Sequence, residues 1–341
     1  MPSHLARGRH RVLAALLWVV LAACAATMAL RCLPVGMGDG HDVPIIVPFL
    51  PYLGIPLIVA LVAGLLCRRR ALPVAAAALL AVLAWWHAGY LVPTSTVSDE
   101  AAAAVEAGVD TSDGVARIMT LNLTYGGADP DEVVACVRDE HVEVLCLQEA
   151  TNDYLAELDA AGIGDYLPNR VVSEVGYVNN GGRNCVLSAM PMTNESSDLL
   201  PIITSSMAAC SVDVGGRTLR FVSVHANSPH LGGQDWWASG LETIGELAGY
   251  DHDYVICGDF NATWDHARFR ALLDDAFVDA GETAGEGFHM TYPANSWLPP
   301  LIEIDHVVYS ADAGIVVGDL ETVEVSGTDH LALLATLEVV G

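Results

Sequence analysis

Three apolar runs fill most of the first ninety-two residues: Val12 to Leu30, Val43 to Leu66 and Ala71 to Val92. None carries a Lys, Arg, Asp or Glu in its interior. About 20 such residues in a helix are long enough to cross a hydrocarbon core of roughly 30 Å. The runs therefore predict three transmembrane helices, over residues 12–30, 43–66 and 71–92, and a membrane anchor spanning 1–92. Basic residues flank this part unevenly. Arg7, Arg9 and Arg11 precede the first run and Arg68, Arg69 and Arg70 follow the second, whereas the stretch Arg31 to Asp42 has one Arg and two Asp. The positive-inside bias then puts the N-terminus and the 68–70 turn in the cytoplasm and everything after Val92 on the extracytoplasmic side of a multi-pass protein.

In one alternative, one or two runs are buried core helices. In another, which leaves that orientation unchanged, the first is a cleaved signal, since Leu21-Ala-Ala-Cys24 resembles a bacterial lipoprotein cleavage site. Apolar sequence continuing to Leu30 favours a retained helix over cleavage or lipidation at Cys24.

Residues 93–115 are rich in Ala, Ser, Thr, Asp and Gly and read as a flexible extracytoplasmic tether. A domain follows over 116–341. From residue 117 on it holds eight Arg, no Lys and 35 acids, so it carries the whole formal charge of −27. Proteins that grip long nucleic acids offer a basic stripe to phosphates. Extended nucleic-acid binding is thus disfavoured, although plain solubility would also explain the acidity. Five Cys occur in the domain with no CxxC pair, and Cys146 and Cys257 lie in apolar strand-like runs, so buried thiols are expected in preference to a disulfide.

Short apolar strands alternate with helical stretches along the domain. Arg117 to Leu123 reads as a strand. Asp129-Pro130-Asp131-Glu132 then supplies an N-cap, a first-turn Pro and a capping-box acid for a helix to about Asp139. Further strands are expected at 142–147, 185–188, 254–257, 303–309 and 331–339, with a hairpin 208–214/218–224 across Gly215-Gly216 and helices at 151–161 and 236–248. This mixture argues for an α/β sandwich.

Polar residues gather where these strands end. The positions are Asn122, Gln148-Glu149, His225-Ala-Asn227, Asp259-Phe-Asn261, Asp305-His306 and Asp329-His330. Each alone could be a turn former, a cap or a satisfied core histidine. Six together mark a site, because α/β folds build their sites at strand ends. The inventory suits phosphoester hydrolysis: carboxylates such as Glu149 and Asp329 are hard ligands for Mg²⁺ or Mn²⁺, and His225 and His330 titrate near neutrality, with Asp305 able to fix a tautomer. Strand alternation would point Asp259 and Asn261 to one face and Phe260 into the core.

The ordered series Thr120-Leu-Asn122, Leu147-Gln-Glu149, Asn184-Cys-Val-Leu-Ser188 with Pro191, Val224-His225, Gly258-Asp-Phe-Asn261, Ile304-Asp305-His306-Val307 and Thr328-Asp-His330 resembles the endonuclease/exonuclease/phosphatase superfamily, over the entire domain. The three apolar runs are similar to the layout of its bacterial membrane-anchored members. The resemblance implies a four-layer α/β sandwich, two facing mixed β-sheets flanked by helices, preceded here by three transmembrane helices. It implies Glu149 as principal metal ligand with Asn122 and Asp329 nearby, and Asp259 as the acid that orients the attacking water. It further implies Asn261 as transition-state donor, His330 paired with Asp305 at the phosphate, and His225 at the leaving group. Asn184, Arg183 and Asn227 are the substrate-binding candidates, Arg183 being equally readable as a solvated loop residue. Thr124 stands where many nuclease members carry an acid, and Ala189 where a basic residue is usual.

The expectation is a divalent-metal-dependent phosphohydrolase, with Mg²⁺ or Mn²⁺ as cofactor, tied to a bilayer and acting on a phosphate ester that is lipid-linked or close to the membrane. The alternatives are an exported nuclease that scavenges nucleotides and, from another class, a catalytically silent envelope-binding module.

Overall fold

The computed structural model describes residues 2–340, with side chains from Val12 onward. Arg7, Arg9 and Arg11, on which the orientation rests in part, lie outside the described side chains.

The N-terminal part is a helical bundle. Its helices are Pro2–Arg31, a short Val43–Ile46 turn running through a 3-10 segment Val47–Leu53 into Gly54–Leu66, and Ala71–Trp86. They meet through Leu21, Cys24, Met28, Leu50, Leu57, Ala60, Leu72 and Ala76. Their outward faces are apolar too: Val19, Ile55, Leu66 and Val74 are all exposed. A helix apolar all round is suited to a large protein's core or to lipid. Two of the three expected spans, Val12–Arg31 and Val43–Leu66, are long and apolar enough to cross a membrane. The third is not, because the helix stops at Trp86. There the chain turns toward the rest of the molecule: His87 bonds Asp265, and Tyr90 stacks on Phe288 with ring centroids 4.4 Å apart.

The segment expected as a flexible tether is partly folded. Ser98 caps a helix Asp99–Ala107 by accepting from Ala101 N, and its own hydroxyl and amide bond the Glu338 carboxylate at 2.8 and 2.7 Å. Ala101 is buried beneath it. Ser-Asp-Glu before four Ala is an N-cap signature. Composition counted as loop-like hid it.

The chain then lays down four strands of one sheet, β1 (Val115–Asn122), β2 (Val144–Ala150), β3 (Asn169–Val172) and β4 (Arg183–Ser188). It builds all of a second sheet with β5 (Met192–Ser196), β6 (Ala208–Val214), β7 (Arg217–His225), β8 (Tyr254–Asp259), β9 (Phe277–Asp279) and β10 (Asp305–Ser310). It returns to the first with β11 (Ile315–Val323) and β12 (Ala332–Val339). The sheet orders are β11-β12-β1-β2-β4-β3 and β5-β6-β7-β8-β10-β9, both mixed.

Alternation along the strands creates the layers. Ile118, Cys146, Phe221, Val255 and Cys257 face the space between the sheets. Met119, Leu121, Leu145 and Leu147 face helices Pro130–Asp139 and Asn152–Ala160 on one side, and Val222, Ile256 and Val308 face helices Gln234–Gly245 and Ala267–Leu273 on the other. The result is the expected helix–sheet–sheet–helix sandwich. The cap at Asp129 also forms, accepting from the Asp131 and Glu132 amides. Glu132 does not close a capping box: its carboxylate takes Ser326 N at 2.7 Å, and Asp129 N bonds Ser326 O instead. All five thiols of the domain are free and buried.

Candidate active site

Register alone assembles half of the site. His225, the last residue of β7, pairs with Asp259, the last of β8, and Asp259 pairs across with Asp305, the first of β10. The facing sheet brings Asn122 at the end of β1 and Glu149 on a bulge of β2, where pairing with β4 slips between Leu147 and Ala150. Thr328-Asp329-His330, just ahead of β12, arrives beside them because Thr328 Oγ1 donates to Asn122 O at 2.6 Å.

Asp259 is the hub. Its Oδ2 accepts from Asn122 Nδ2 at 3.0 Å and Asn261 Nδ2 at 3.1 Å, and it lies 3.6 Å from His225 Nε2 and 3.8 Å from His330 Nε2. Asn261 gets there by a turn and not by strand alternation. The strand stops at Asp259, and Asn261 takes a left-handed backbone, φ 48°, with its N–H on Asp259 Oδ1 and its amide on Ala226 O. Phe260 is buried in the outer core as expected. Thr124, Tyr125 and Glu149 are left-handed as well, with φ 47°, 57° and 59°. Such backbone is costly for residues with a Cβ and concentrates at functional sites.

Glu149 is held by Tyr125 N on one oxygen and Asn122 Nδ2 on the other. Gly181, φ 87°, lies so close that a Cβ there would fall 2.3 Å from Glu149 Cδ. Thr124, at the position usually acidic in nucleases, gives its hydroxyl to the Asp329 carboxylate and contacts Thr328 Oγ1.

Electrostatics divide the titratable groups. Burial pushes Asp259 up to about 6, with the Asp305 carboxylate adding to the shift, and burial also raises Glu149. Burial works to lower His330 but is outweighed by its carboxylates, Asp305 first, which carry it to about 9; Asp305 Oδ2 receives His330 Nδ1 at 2.8 Å. Asp305 is held low, because this imidazolium overcomes the effect of burial. His225 is lowered by burial, which Asp259 does not offset. The two imidazoles are thus pushed in opposite directions, His330 toward its charged form and His225 toward its neutral one.

A cavity of about 490 Å³ opens over these groups. Among the described residues that line it there is no Lys or Arg. Its lining is polar at Asn122, Glu149, His225, Asp259, Asp329 and His330, and apolar in two groups, Tyr292 with Ile302 and Pro44, Ile45, Pro48 with Phe49. The second group belongs to the N-terminal bundle. His266 Nε2 donates to Pro44 O at 2.8 Å, and Arg31 Nε reaches Asp265 Oδ1 at 2.6 Å.

Three candidates are not brought into the cavity. Asn184 is buried and spends its amide on Ser205 Oγ and Ser206 O. Arg183 turns to Asn152 Oδ1 and Ser173 O, and Asn227 bonds Ser228 O and Gly233 O. Tests of buried polar spacing do not separate a ligand from a residue that satisfies a neighbouring loop. The sequence reading also missed Asn180, Tyr125, His230 and Tyr292, which line the cavity. Asn180 precedes Gly181-Gly182, and that pair was the available signal for a loop pressed against the site.

The donors suit a hard divalent cation. Oxygens of Glu149, Asp259, Asp329 and Asn122 face the same cavity, and ligand atoms of Asp259, Asp305 and His330 lie within 4.8 Å of one another. Asp305 Oδ1 is buried without a hydrogen-bond partner.

A four-layer sandwich that gathers acids, amides and a carboxylate-paired histidine at the strand ends of its two sheets defines a phosphoesterase- or nuclease-like α/β fold. The chain belongs to the endonuclease/exonuclease/phosphatase family, whose sequence profile matches residues 119–330. Members of that superfamily are hydrolases of phosphate esters and are typically divalent-metal dependent. Among solved structures, humanized D. rerio TDP2 superposes with a TM-score of 0.55 at 12% identity over 66% of this chain and 100% of its own. An endonuclease/exonuclease/phosphatase family protein from Leptotrichia buccalis gives 0.52 at 15%, over 65% and 99%. D. rerio TDP2 complexed with a single-strand DNA product gives 0.54 at 14%, over 66% and 100%. No curated protein matches the sequence significantly.

Proposed function

We propose that the chain is a membrane-anchored, Mg²⁺- or Mn²⁺-dependent phosphohydrolase, with the short apolar helix Ala71–Trp86 as a third crossing that puts the domain on the extracytoplasmic side, and that its substrate is a phosphate ester carried by a membrane lipid. The observation that carries this reading is the docking of the helical bundle onto the loop after β8, the loop that continues from Asp259 and Asn261. Arg31, His87 and the carbonyl of Pro44 all bond Asp265 or His266 there, and Trp264 Nε1 donates to Trp86 O. Two helices that are long and apolar enough to span a bilayer are thus fixed beside the cavity. A soluble substrate gives no reason for that proximity.

Glu149, with Asn122 and Asp329, would hold the cation, which when bound neutralises phosphate oxygens and so assists displacement. The chain's own groups supply the rest. Asp259, raised toward neutrality, accepts a proton from the attacking water and is oriented by Asn122 and Asn261. His330, kept charged by Asp305, donates its Nε2 proton to phosphate. Asn180 adds a donor, and His225, whose Nε2 lies 3.6 Å from Asp259 Oδ2, returns the proton that Asp259 takes from water to the leaving-group oxygen.

A nuclease reading draws on the fold it shares with a DNA-processing neighbour. The domain's charge and a cavity with no Lys or Arg among its described lining residues weigh against it. A silent binding module would not need Asp259, Asp305 and His330 converging in one hydrogen-bonded set.

The test is release of phosphate or headgroup by the full chain in mixed micelles, with Mg²⁺ or EDTA. Substrates are polyprenyl pyrophosphate, phospholipids, sphingomyelin, nucleotides and plasmid DNA, and Asp259→Ala and His330→Ala serve as controls. Metal-dependent turnover of a lipid, lost by about 10³-fold or more in both variants, is expected. Turnover of DNA alone would overturn the lipid reading, and turnover of nothing by the folded chain would move the weight to the binding module.

A further inference from the structure

The apolar part of the cavity lining is not needed for phosphate chemistry. Ile45 and Phe49 are 41% and 45% exposed, whereas Pro44 and Pro48 beside them are buried. The segment Val43–Leu53 holds Pro44, Pro48 and Pro51 and is bonded to the catalytic domain at both ends. Pro44 O accepts from His266 Nε2 at 2.8 Å, and Tyr52 Oη donates to Leu301 O at the same distance. His266 bonds the chain on both nitrogens, Nδ1 taking Thr263 N, so the ring that holds Pro44 is itself fixed. Leu301 adjoins Ile302, which lines the same cavity as Ile45 and Phe49. Both groups are therefore set relative to Asp259 and His330 by hydrogen bonds and by proline-stiffened backbone.

We infer that Ile45, Pro48 and Phe49, together with Ile302 and Tyr292, form the subsite for the hydrocarbon next to the scissile phosphate, making the N-terminal helical bundle part of the substrate site. This rests on the lipid reading above and names the residues that impose it. The occupant is a lipid chain because the wall is continuous with a bilayer-length apolar stretch: Val47–Leu53 runs into helix Gly54–Leu66, whose Ile55, Val59 and Val62 are exposed on its flank. A polyanion finds no cation among the described lining residues, and a small soluble ester leaves the apolar wall wet.

The experiment compares kcat/KM for a long-chain lipid phosphate in mixed micelles with kcat/KM for a short-chain, water-soluble ester of the same headgroup. It uses the full chain and the variants Ile45→Ser, Phe49→Ser and Phe49→Leu. Each half-exposed side chain would bury its remaining apolar area against the substrate, so the lipid-to-soluble ratio should fall about tenfold for each Ser variant. Phe49→Leu should restore most of it. In the wild type kcat/KM should climb over the first several carbons of a chain-length series and then level off. Because the side chains are half exposed, these changes open no core cavity, and the chain-length series gives the same answer without any variant. Ratios within twofold of wild type, or a flat series, overturn the subsite while leaving lipid hydrolysis standing. A wild-type chain that hydrolyses soluble esters or DNA and no lipid overturns both.

Discussion

Asp265 offers the strongest test of how the two parts of the molecule are joined. The residue is buried, and its carboxylate holds Arg31 Nε at 2.6 Å and His87 Nε2 at 3.1 Å, side chains that are only 9% and 6% exposed. Asp265→Leu strands the Arg31 guanidinium in a buried place, which ordinarily costs roughly 3–5 kcal/mol. Arg31 keeps its place 4.7 Å over the Trp86 ring in either case, so that contact does not offset the loss. The net expectation is about 3–5 kcal/mol, or roughly 150- to 5000-fold toward the undocked state. Replacing both partners, Arg31→Met with Asp265→Leu, should return to within about 1 kcal/mol of wild type, because an apolar pair of similar volume needs no desolvated charge. Hydrogen exchange in micelles reads the equilibrium at the Thr94 and Ser95 amides, which bond Thr283 O at 2.9 and 3.2 Å while the parts are docked. Exchange in Asp265→Leu within twofold of wild type would refute the reasoning. So would a double variant that loses as much as the two single ones combined.

Other outcomes follow from single contacts. Gly181→Ala forces the Glu149 carboxylate to move, so the Mg²⁺ concentration needed for half-maximal turnover should rise about 10- to 100-fold, as a metal titration would show. Asn184→Ala removes the donor to Ser206 O and Ser205 Oγ and should cost about 1–2 kcal/mol in denaturant unfolding. It should leave kcat/KM within threefold, whereas a substrate-binding role would demand a larger loss. Burial pushes Glu143 from 4.5 to about 7, and its Oε1 has no hydrogen-bond partner. The folded chain therefore keeps a proton that the unfolded chain has released, and this group's contribution to stability falls as pH rises from about 4.5 to 7. Glu143→Gln should raise the melting temperature at pH 8, by the equivalent of about 1–2 kcal/mol, and give no gain near pH 4.5.

The polar cluster that lines the cavity was legible because strand ends are locally encoded: apolar alternation ending in an acid, amide or imidazole is visible in a short window. Asp259, Asp305, His225 and His330 all came together for that reason. The route to Asn261 was misread, since alternation carries no information about where a strand stops, and the φ of 48° depends on Ala226 O and Asp259. Asn184 and Asn227 failed for the opposite reason. A polar side chain on a buried element is used by whatever loop lies across it: for Asn184 the loop at 205–206, 21 and 22 residues on, and for Asn227 the turn at 228–233 that follows it. Strands β3, β5, β9 and β11 went unseen because edge strands such as β5, with three exposed residues in five, lack apolar alternation. The least legible feature was the contribution of Pro44 to Phe49. Hydropathy assigned that stretch wholly to a membrane span, and only three-dimensional contact shows one end of it beside His330.

The order in which the sheets are built has a consequence for synthesis. Val115 at the start of β1 pairs with Glu338 near the end of β12, and the second sheet is completed in between. At about 5–20 residues per second, β1 waits some tens of seconds for the partner on its β12 side, with that edge open. His330 precedes this closing strand, so the polar cluster stays incomplete until the first sheet is about to shut. A chain stopped anywhere within the second sheet therefore has an open β1 edge and lacks Asp329 and His330.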